Sequence, residues 1–435
     1  MVSMIAAEPW VDVSYIGTNE NKSGFGFNTK GKKLMKKKLI RVTTSDISLD
    51  SLIKGQLKFL SSEFEVIGVS NNTGVLAMVG EREGIRTIEV PMHREISLLS
   101  DMKCLWLLYR LFRKEKPDIV HANTPKGSML SMIASKLASV PHRLYTVTGL
   151  RYQGASGLFR TLLMTMERIS CYCATKVIPE GEGVKKTLLE DNITSKEMHI
   201  IHNGNINGID TTYFSEQATI EEIKQSLNLS KETDSEKVRD LFRESIGLSK
   251  NDFAFIFIGR IVNDKGMHEL AGAFSKLIPI FPHCKLILVG NFEDNLDPLQ
   301  QEDKVFFENN PAVHFVGYQD DVRPYLLSAD ALVFPSYREG FPNVVMQAGA
   351  MGLASIVTDI NGCNEIIREG ENGIIIPPKD EISLCTAMTC FIEQPHLKNT
   401  MSEKARKMIV ERYEQKDVWE AVLKEYINVG ETNCL

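Results

Sequence analysis

The chain alternates between short apolar runs and helical stretches in two separate series, and this leaves few architectures open. In the first series, apolar runs at 38–43, 64–69, 85–90 and 118–122 precede helical patterns at 49–60, 73–82, 97–115 and 126–139. A run at 142–148 then precedes a helix at 158–173. The second series starts with Phe253–Ile258, a continuous apolar run of the kind a strand covered on both faces requires. Runs at 285–290, 312–316, 330–334 and 354–358 follow, with helices at 266–279, 296–308, 320–328 and 342–352. Strands alternating with helices form parallel sheets with helices on both faces. The sequence therefore reads as α/β, with two doubly wound domains facing each other across a cleft. Helices at about 396–413 and 415–429 finish the chain. The length agrees, since 435 residues suit two domains of roughly 100–200 residues each. The block 215–246 is polar and weakly periodic, and reads as an insertion or linker carrying one helix.

Composition narrows the class further. Apolar residues make up 43% and charged residues 24%, the balance of an ordinary globular protein. No run of 18 uncharged apolar residues occurs, which excludes a spanning helix. The first 30 residues lack the basic-then-apolar order of a secretory signal, so a cytoplasmic location is expected. The eight cysteines include one C-x-C, Cys171 and Cys173, with no second pair at metal spacing, and read as reduced thiols. Residues 1–34 show no periodic apolar segment and read as a disordered or upstream extension before Met35. A chain starting at Met35 is expected to keep its melting temperature.

Charge is divided unevenly. Residues 35–200 hold 24 Lys and Arg against 17 Asp and Glu, a balance of +7. Residues 201–435 hold 22 against 36, a balance of −14. A basic first half suits an anionic partner, and an anionic membrane surface is the one expected, reached through the cationic stretch 103–116. No nucleic-acid partner is expected. The alternative is drift in surface charge.

In open α/β sheets, ligands bind beyond the carboxyl ends of the strands. Two such turns carry chemistry. Gly259-Arg260-Ile261-Val262-Asn263-Asp264-Lys265-Gly266 follows the buried run and leads into a helix. Cations near a helix N-terminus oppose its dipole by about 0.3–1 kcal/mol each. A bound phosphate turns that conflict into attraction, Arg260 gripping with two donors and Lys265 acting as a point charge. The second turn, Glu339-Gly340-Phe341-Pro342-Asn343, follows the run 330–334. Pro342 suits the first helical position, which leaves backbone donors free. Gly340 allows another molecule to approach the backbone, and Glu339 can accept from sugar hydroxyls. The competing reading of Glu339 is a carboxylate capping its own helix.

Together with Gln347-Ala348 and Thr358-Asp359-Ile360-Asn361-Gly362-Cys363-Asn364-Glu365, these motifs resemble retaining glycosyltransferases of family 4, which have the two-domain GT-B fold of Rossmann-like halves. The resemblance runs from about Met35 to Tyr426. The segments His121-Ala122-Asn123-Thr124-Pro125-Lys126-Gly127 and Tyr145-Thr146-Val147-Thr148-Gly149-Leu150-Arg151 resemble the branch that builds bacterial capsular and exopolysaccharide repeat units. The resemblance implies an acceptor domain at 35–204, a nucleotide-sugar domain at 205–414, and a last segment, 415–435, returning to the first domain. It implies that Arg260 and Lys265 hold the diphosphate of a nucleotide sugar, UDP-linked by expectation, and that Glu339 contacts the transferred sugar. Gly259, Gly340, Phe341, Pro342 and Asn343 join the donor site, and position 347 binds the ribose. There the family usually has Glu, and this chain has Gln347. Thr148 stands where many relatives carry a His. His121 is the nearest residue to substitute for it in catalysis, and Asn123, Lys126 and Arg151 complete the acceptor side.

The implied reaction moves a sugar to a glycan or lipid-diphosphate-linked acceptor with retention. Two cations and helix amides stabilise the leaving diphosphate without a metal or other cofactor. No Asp-x-Asp pair, P-loop or H-E-x-x-H occurs. A non-catalytic sugar-nucleotide or glycan-binding partner remains the other class, given the departures at Gln347 and Thr148. An epimerase or phosphorylase on the same plan is a third.

Overall fold

The structure is a computed structural model that describes residues 15–16, 26–27, 33–34, 36–93, 97–294 and 297–431. The strands of the first half are β1 (Tyr15–Ile16), β2 (Gly26–Phe27), β3 (Lys33–Leu34), β4 (Lys38–Ser45), β5 (Glu65–Asn71), β6 (Arg86–Glu89), β7 (Ile119–Ala122), β8 (His142–Val147) and β9 (Lys176–Pro179). Those of the second are β10 (Phe253–Ile258), β11 (Cys284–Val289), β12 (Val313–Gly317), β13 (Ala331–Phe334), β14 (Ser355–Thr358) and β15 (Gly373–Ile376). The first sheet runs β1-β6-β5-β4-β7-β8-β9 and the second β12-β11-β10-β13-β14-β15. Apart from the antiparallel edge pairing of β1 on β6, all pairings in these two sheets are parallel. Each sheet places its first long strand in the middle and builds outwards both ways. The switch point, where crossovers leave towards opposite faces, falls at β4/β7 and at β10/β13.

Several elements differ from the sequence reading. The two sheets end in β9 and β15, four residues each, and these edge strands were too short to stand out as periodic runs. The helices that follow them are Glu182–Glu190 and Glu381–Glu393. The expected helix 49–60 is two helices, Asp46–Leu52 and Gln56–Leu60. Gly55 between them takes φ +81°, and a Cβ there would lie 2.7 Å from the Trp419 ring. The block 215–246 carries two helices, each with its own cap. Ser215 Oγ accepts from Ala218 N at the start of Glu216–Ser226, and Asp234 accepts from Glu236 N at the start of Ser235–Ser245. Of residues 1–34, all but the short strands β1, β2 and β3 lie outside the described residues, and with them most of the expected extension.

The polypeptide crosses between the domains twice, and the crossings are bonded to each other. Ile209 N donates to the Tyr413 carbonyl at 2.8 Å, and Gln415 N donates to the Ile209 carbonyl at 3.0 Å. The last helix, Gln415–Glu431, then lies on the first domain. Its Val418, Val422 and Tyr426 share one buried cluster with Leu39, Leu49, Leu57 and Ile119.

One buried carboxyl gives the first domain a pH dependence. The Tyr145 hydroxyl, on β8, donates to Glu167 of the helix Gly157–Cys173, and both side chains are buried. Burial pushes the Glu167 carboxyl up to about 7, against the smaller opposing effect of the Tyr145 hydrogen bond. The folded state thus binds this proton more tightly than the unfolded chain. The stabilisation is complete below about pH 4.5 and is lost as pH rises through 7. At 1.36 kcal/mol per unit, the loss is about 3 kcal/mol. Glu167→Gln keeps an acceptor for Tyr145 and removes the titration. Urea unfolding at pH 5 and pH 8 is expected to show the wild type losing about this much relative to the variant; parallel pH profiles would refute it.

Candidate active site

The turn after β10 and the turn after β13 meet at one place. Lys265 ends a short 3-10 turn, Asn263–Lys265, and the helix proper begins at Met267. Gly266 joins the two at φ +71°, and a Cβ there would fall 2.0 Å from the Pro335 carbonyl. Only glycine allows the first turn to lie so close against the second. The result is that Lys265 Nζ pairs directly with Glu339 Oε1. Ser336 Oγ donates to the same carboxylate oxygen at 2.8 Å, and the ammonium stands 5.7 Å from the centre of the Phe334 ring. Both Lys265 and Glu339 are largely enclosed, which strengthens the pair. Arg260 is half-exposed and reaches Glu293 at 3.0 Å.

Gly340 is approached as expected, but by the other domain. A Cβ at Gly340 would stand 2.0 Å from the Thr148 carbonyl, at the end of β8. The two domains therefore touch where the turn after β13 meets the end of β8. Phe341 does not face the cleft. It is buried edge-to-face against Tyr413, ring centres 5.5 Å apart, so its side chain is a packing residue. Pro342 caps the helix Asn343–Ala350 and does not form its first turn. Asn343 Oδ1 accepts from Asn205 on the interdomain linker at 3.0 Å. Gln347, half-buried in the same helix, has no side-chain hydrogen bond among the described residues. It is left available to a ligand.

A chamber of about 230 Å³ opens beside these groups. Pro125, Thr148 and Arg151 of the first domain face Arg260, Lys265 and Glu339 of the second across it. Thr148 Oγ1 donates to the Asn123 carbonyl at 2.7 Å, which fixes the β8 end against the β7 turn. The other expected acceptor residues lie elsewhere. Asn123 is fully buried, with its Oδ1 3.4 Å from Arg41 Nη2. Lys126 is buried in an ion pair with Asp101 at 2.5 Å.

His121 is also away from the chamber. It is enclosed under the sheet, with Nδ1 2.6 Å from the Tyr426 hydroxyl and 3.1 Å from Arg41 Nη1, and Nε2 2.7 Å from Thr146 Oγ1. Arginine can only donate, so Nδ1 is bare and Nε2 carries the proton to Thr146. Burial, aided by the Arg41 charge, holds the imidazole well below its ordinary pKa. It is a neutral packing group and not the catalytic substitute the sequence suggested.

Two features escaped sequence reasoning. Arg338, one residue before Glu339, reaches across to Asp264 at 2.6 Å. Its place beside the motif was visible, but its partner was not. Glu365 accepts from Glu182 N at 2.7 Å and Gly183 N at 3.0 Å, so the second domain caps the helix Glu182–Glu190 of the first.

A family model described as "Glycosyl transferase 4-like domain" matches residues 61–204, and one described as "Glycosyl transferases group 1" matches residues 238–408. Between them they cover more than two thirds of the chain. The chain is a glycosyltransferase of this two-domain family. The capsular polysaccharide biosynthesis glycosyltransferase CapM of Staphylococcus aureus is 28% identical over 376 residues, 86% of this chain and 93% of that protein. An Escherichia coli UDP-Gal:alpha-D-GlcNAc-diphosphoundecaprenol alpha-1,3-galactosyltransferase is 26% identical over 390 residues, 86% of this chain and 94% of that one. Among solved structures, Anabaena Alr3699/HepE in complex with UDP-glucose superimposes with a TM-score of 0.69 at 17% identity, covering 90% of this glycosyltransferase and 99% of that chain. That likeness shows the GT-B fold. The glycosyltransferase therefore places its two family domains on the two sheets, with Lys265 and Glu339 at the facing edge of the second. No helix among its described residues is long and apolar enough to cross a membrane.

Proposed function

We propose that this glycosyltransferase transfers a sugar from a nucleotide sugar, UDP-linked in the first instance, to a glycan or lipid-diphosphate-linked acceptor in capsule or cell-surface glycan synthesis. The observation that carries the reading is the enclosed Lys265, facing a chamber bordered also by Arg260 and Arg151. The donor diphosphate would displace Glu339 from Lys265, and the freed carboxylate would accept from the sugar hydroxyls. Among the described residues lining that chamber no histidine occurs, Asp264 is held by Arg338, and the freed Glu339 would be engaged by the hydroxyls of the transferred sugar. An oxygen of the departing diphosphate is then the base nearest the acceptor hydroxyl, on the same face as the departing bond, which gives retention. The name of the Escherichia coli relative supports the UDP-sugar and the lipid-diphosphate acceptor, and that of CapM supports the capsule. The test is release of UDP from a panel of UDP-sugars with undecaprenyl-diphosphate saccharides, with product configuration read by NMR. No release from any pair, or an inverted product, would count against the reading.

The acceptor's lipid calls for contact with a membrane. The helices Leu98–Glu115, Pro125–Leu137 and Gly157–Cys173 pack side by side on the first domain. They expose Leu98, Leu99, Met102, Trp106, Leu158 and Phe159. Arg110, exposed on the first of them, sits 4.7 Å over the Trp106 ring, an aromatic and a cation at one level. Apolar side chains with a cationic rim fit an anionic bilayer surface, each cation contributing about 1 kcal/mol. Liposome co-sedimentation is expected to be strong with anionic lipid at low salt and weak at high salt. It should fall on Leu98→Ser with Leu99→Ser. Equal binding to neutral vesicles would contradict it.

A further inference from the structure

One side chain divides the cleft. Arg338 Nη2 donates to Asp264 Oδ2 at 2.6 Å, and its guanidinium lies against Gly154 of the first domain, where a Cβ would stand 2.7 Å from Arg338 Nε. On one side is the chamber of about 230 Å³ with Lys265. On the other is a larger cavity of about 730 Å³, closed on the first-domain side by Gln153 and Gly154. Glu339 borders both.

The two linings have opposite charge. The smaller carries Arg151, Arg260, Lys265 and Arg338 against Asp264 and Glu339. The larger carries Asp264, Asp297, Glu339 and Asp359 against Arg338 and Lys379. Of the latter two cations, Arg338 is already paired with Asp264, and Lys379 lies 4.8 Å over the Tyr337 ring. A diphosphate is drawn to the first lining and repelled by the second. The second offers what a neutral polyol needs. Its carboxylates accept from hydroxyls, and the amides of Gln153, Asn263 and Asn361 both donate and accept. The volume falls in the range of about 300–1,000 Å³ that encloses a multi-ring ligand.

We propose that the larger cavity is a subsite for the neutral sugar rings of the acceptor glycan, with Arg338 as the strap between it and the donor chamber. The inference rests on the glycosyltransferase reading above. It makes the acceptor a saccharide of more than one ring, recognised by its hydroxyls. Any diphosphate at its reducing end lies outside the cavity. Glu339, present on both sides of the strap, marks where the acceptor hydroxyl meets the transferred sugar.

The experiment is saturation-transfer NMR on the full chain saturated with UDP, with N-acetylglucosamine, its β-1,4-linked dimer and trimer, the corresponding galactose series, and N-acetylglucosamine 1-phosphate as probes. Neutral saccharides are expected to bind alongside UDP and more tightly as rings are added, with the phosphate no better than the bare ring. Asp359→Leu and Asn361→Ala, made separately, are expected to weaken saccharide binding about tenfold or more and to leave UDP affinity unchanged. Asp359 is exposed on the loop after β14, so its replacement leaves the core intact. Displacement of saccharide by UDP, indifference to both variants, or binding of no neutral saccharide would overturn the subsite. Failure of UDP itself to bind would count instead against the transferase reading.

Discussion

Lys265→Ala is expected to cut turnover by about 10²–10³-fold, the loss found when one preorganised donor is removed from a developing negative charge. In the proposed reaction the charge on the leaving diphosphate grows in the transition state, and the enclosed Lys265 would face it. Nucleoside-diphosphate and sugar-nucleotide affinity should fall together, since the diphosphate is common to both. Arg260→Ala should act in the same direction and less strongly, because Arg260 is half-exposed. Glu339→Ala separates the roles. It removes the internal competitor for Lys265, so plain UDP should bind at least as well as to the wild type. The sugar nucleotide should bind more weakly and turn over more slowly. Gln347→Glu should tighten ribose binding if the contact is made. Calorimetry with UDP and with the UDP-sugar distinguishes these outcomes. If Glu339→Ala weakened both ligands equally, its assignment to the sugar would be wrong.

Tyr426→Ala is expected to destabilise the first domain by about 3–5 kcal/mol, the range for a large aromatic removed from a core. The ring is buried against Phe64 and His121, with centres 5.8 Å and 5.7 Å away. Its hydroxyl lies 2.6 Å from Arg41 Nη1 and from His121 Nδ1. Arg41 is fully buried and held by neutral groups: Tyr426, His121, Gln56 and Asn123. Losing one of them leaves a desolvated charge short of acceptors. Tyr426→Phe should cost about 1–3 kcal/mol for that reason alone. Scanning calorimetry should show the first-domain transition move down and the second stay in place. His121→Asn should likewise lower stability while leaving turnover per folded molecule nearly unchanged. A loss of turnover without loss of stability would return His121 to the chemistry.

The fold was legible because buried parallel strands are near-continuous apolar runs, and Phe253–Ile258 and Ala331–Phe334 leave no other reading. The edge strands Lys176–Pro179 and Gly373–Ile376 were not, since four residues at a sheet edge carry too little pattern. Of the expected site residues, Arg260, Lys265 and Glu339 come together at one chamber, and they stood out because cations and a carboxylate after strand ends have few structural uses. His121, Asn123 and Lys126 stood out equally and were misplaced. Their side chains are held away from the chamber by partners on other elements: Tyr426 for His121, Arg41 for Asn123, Asp101 for Lys126. Phe341 illustrates the same limit, since the motif that presents Glu339 also anchors itself, and only the Tyr413 contact tells anchor from presenter.

The helix Gln415–Glu431 also sets a timetable for synthesis. Lys37 Nζ donates to the Gly430 carbonyl at 2.8 Å, joining the residue just before β4 to almost the last described turn. Arg41 and His121 leave the ribosome long before the tyrosine that closes over them. At about 5–20 residues per second, the bay between them stays open for tens of seconds. The first domain is thus completed only after the second has been made, and a chain cut before Gln415 is a body whose buried arginine has lost its lid.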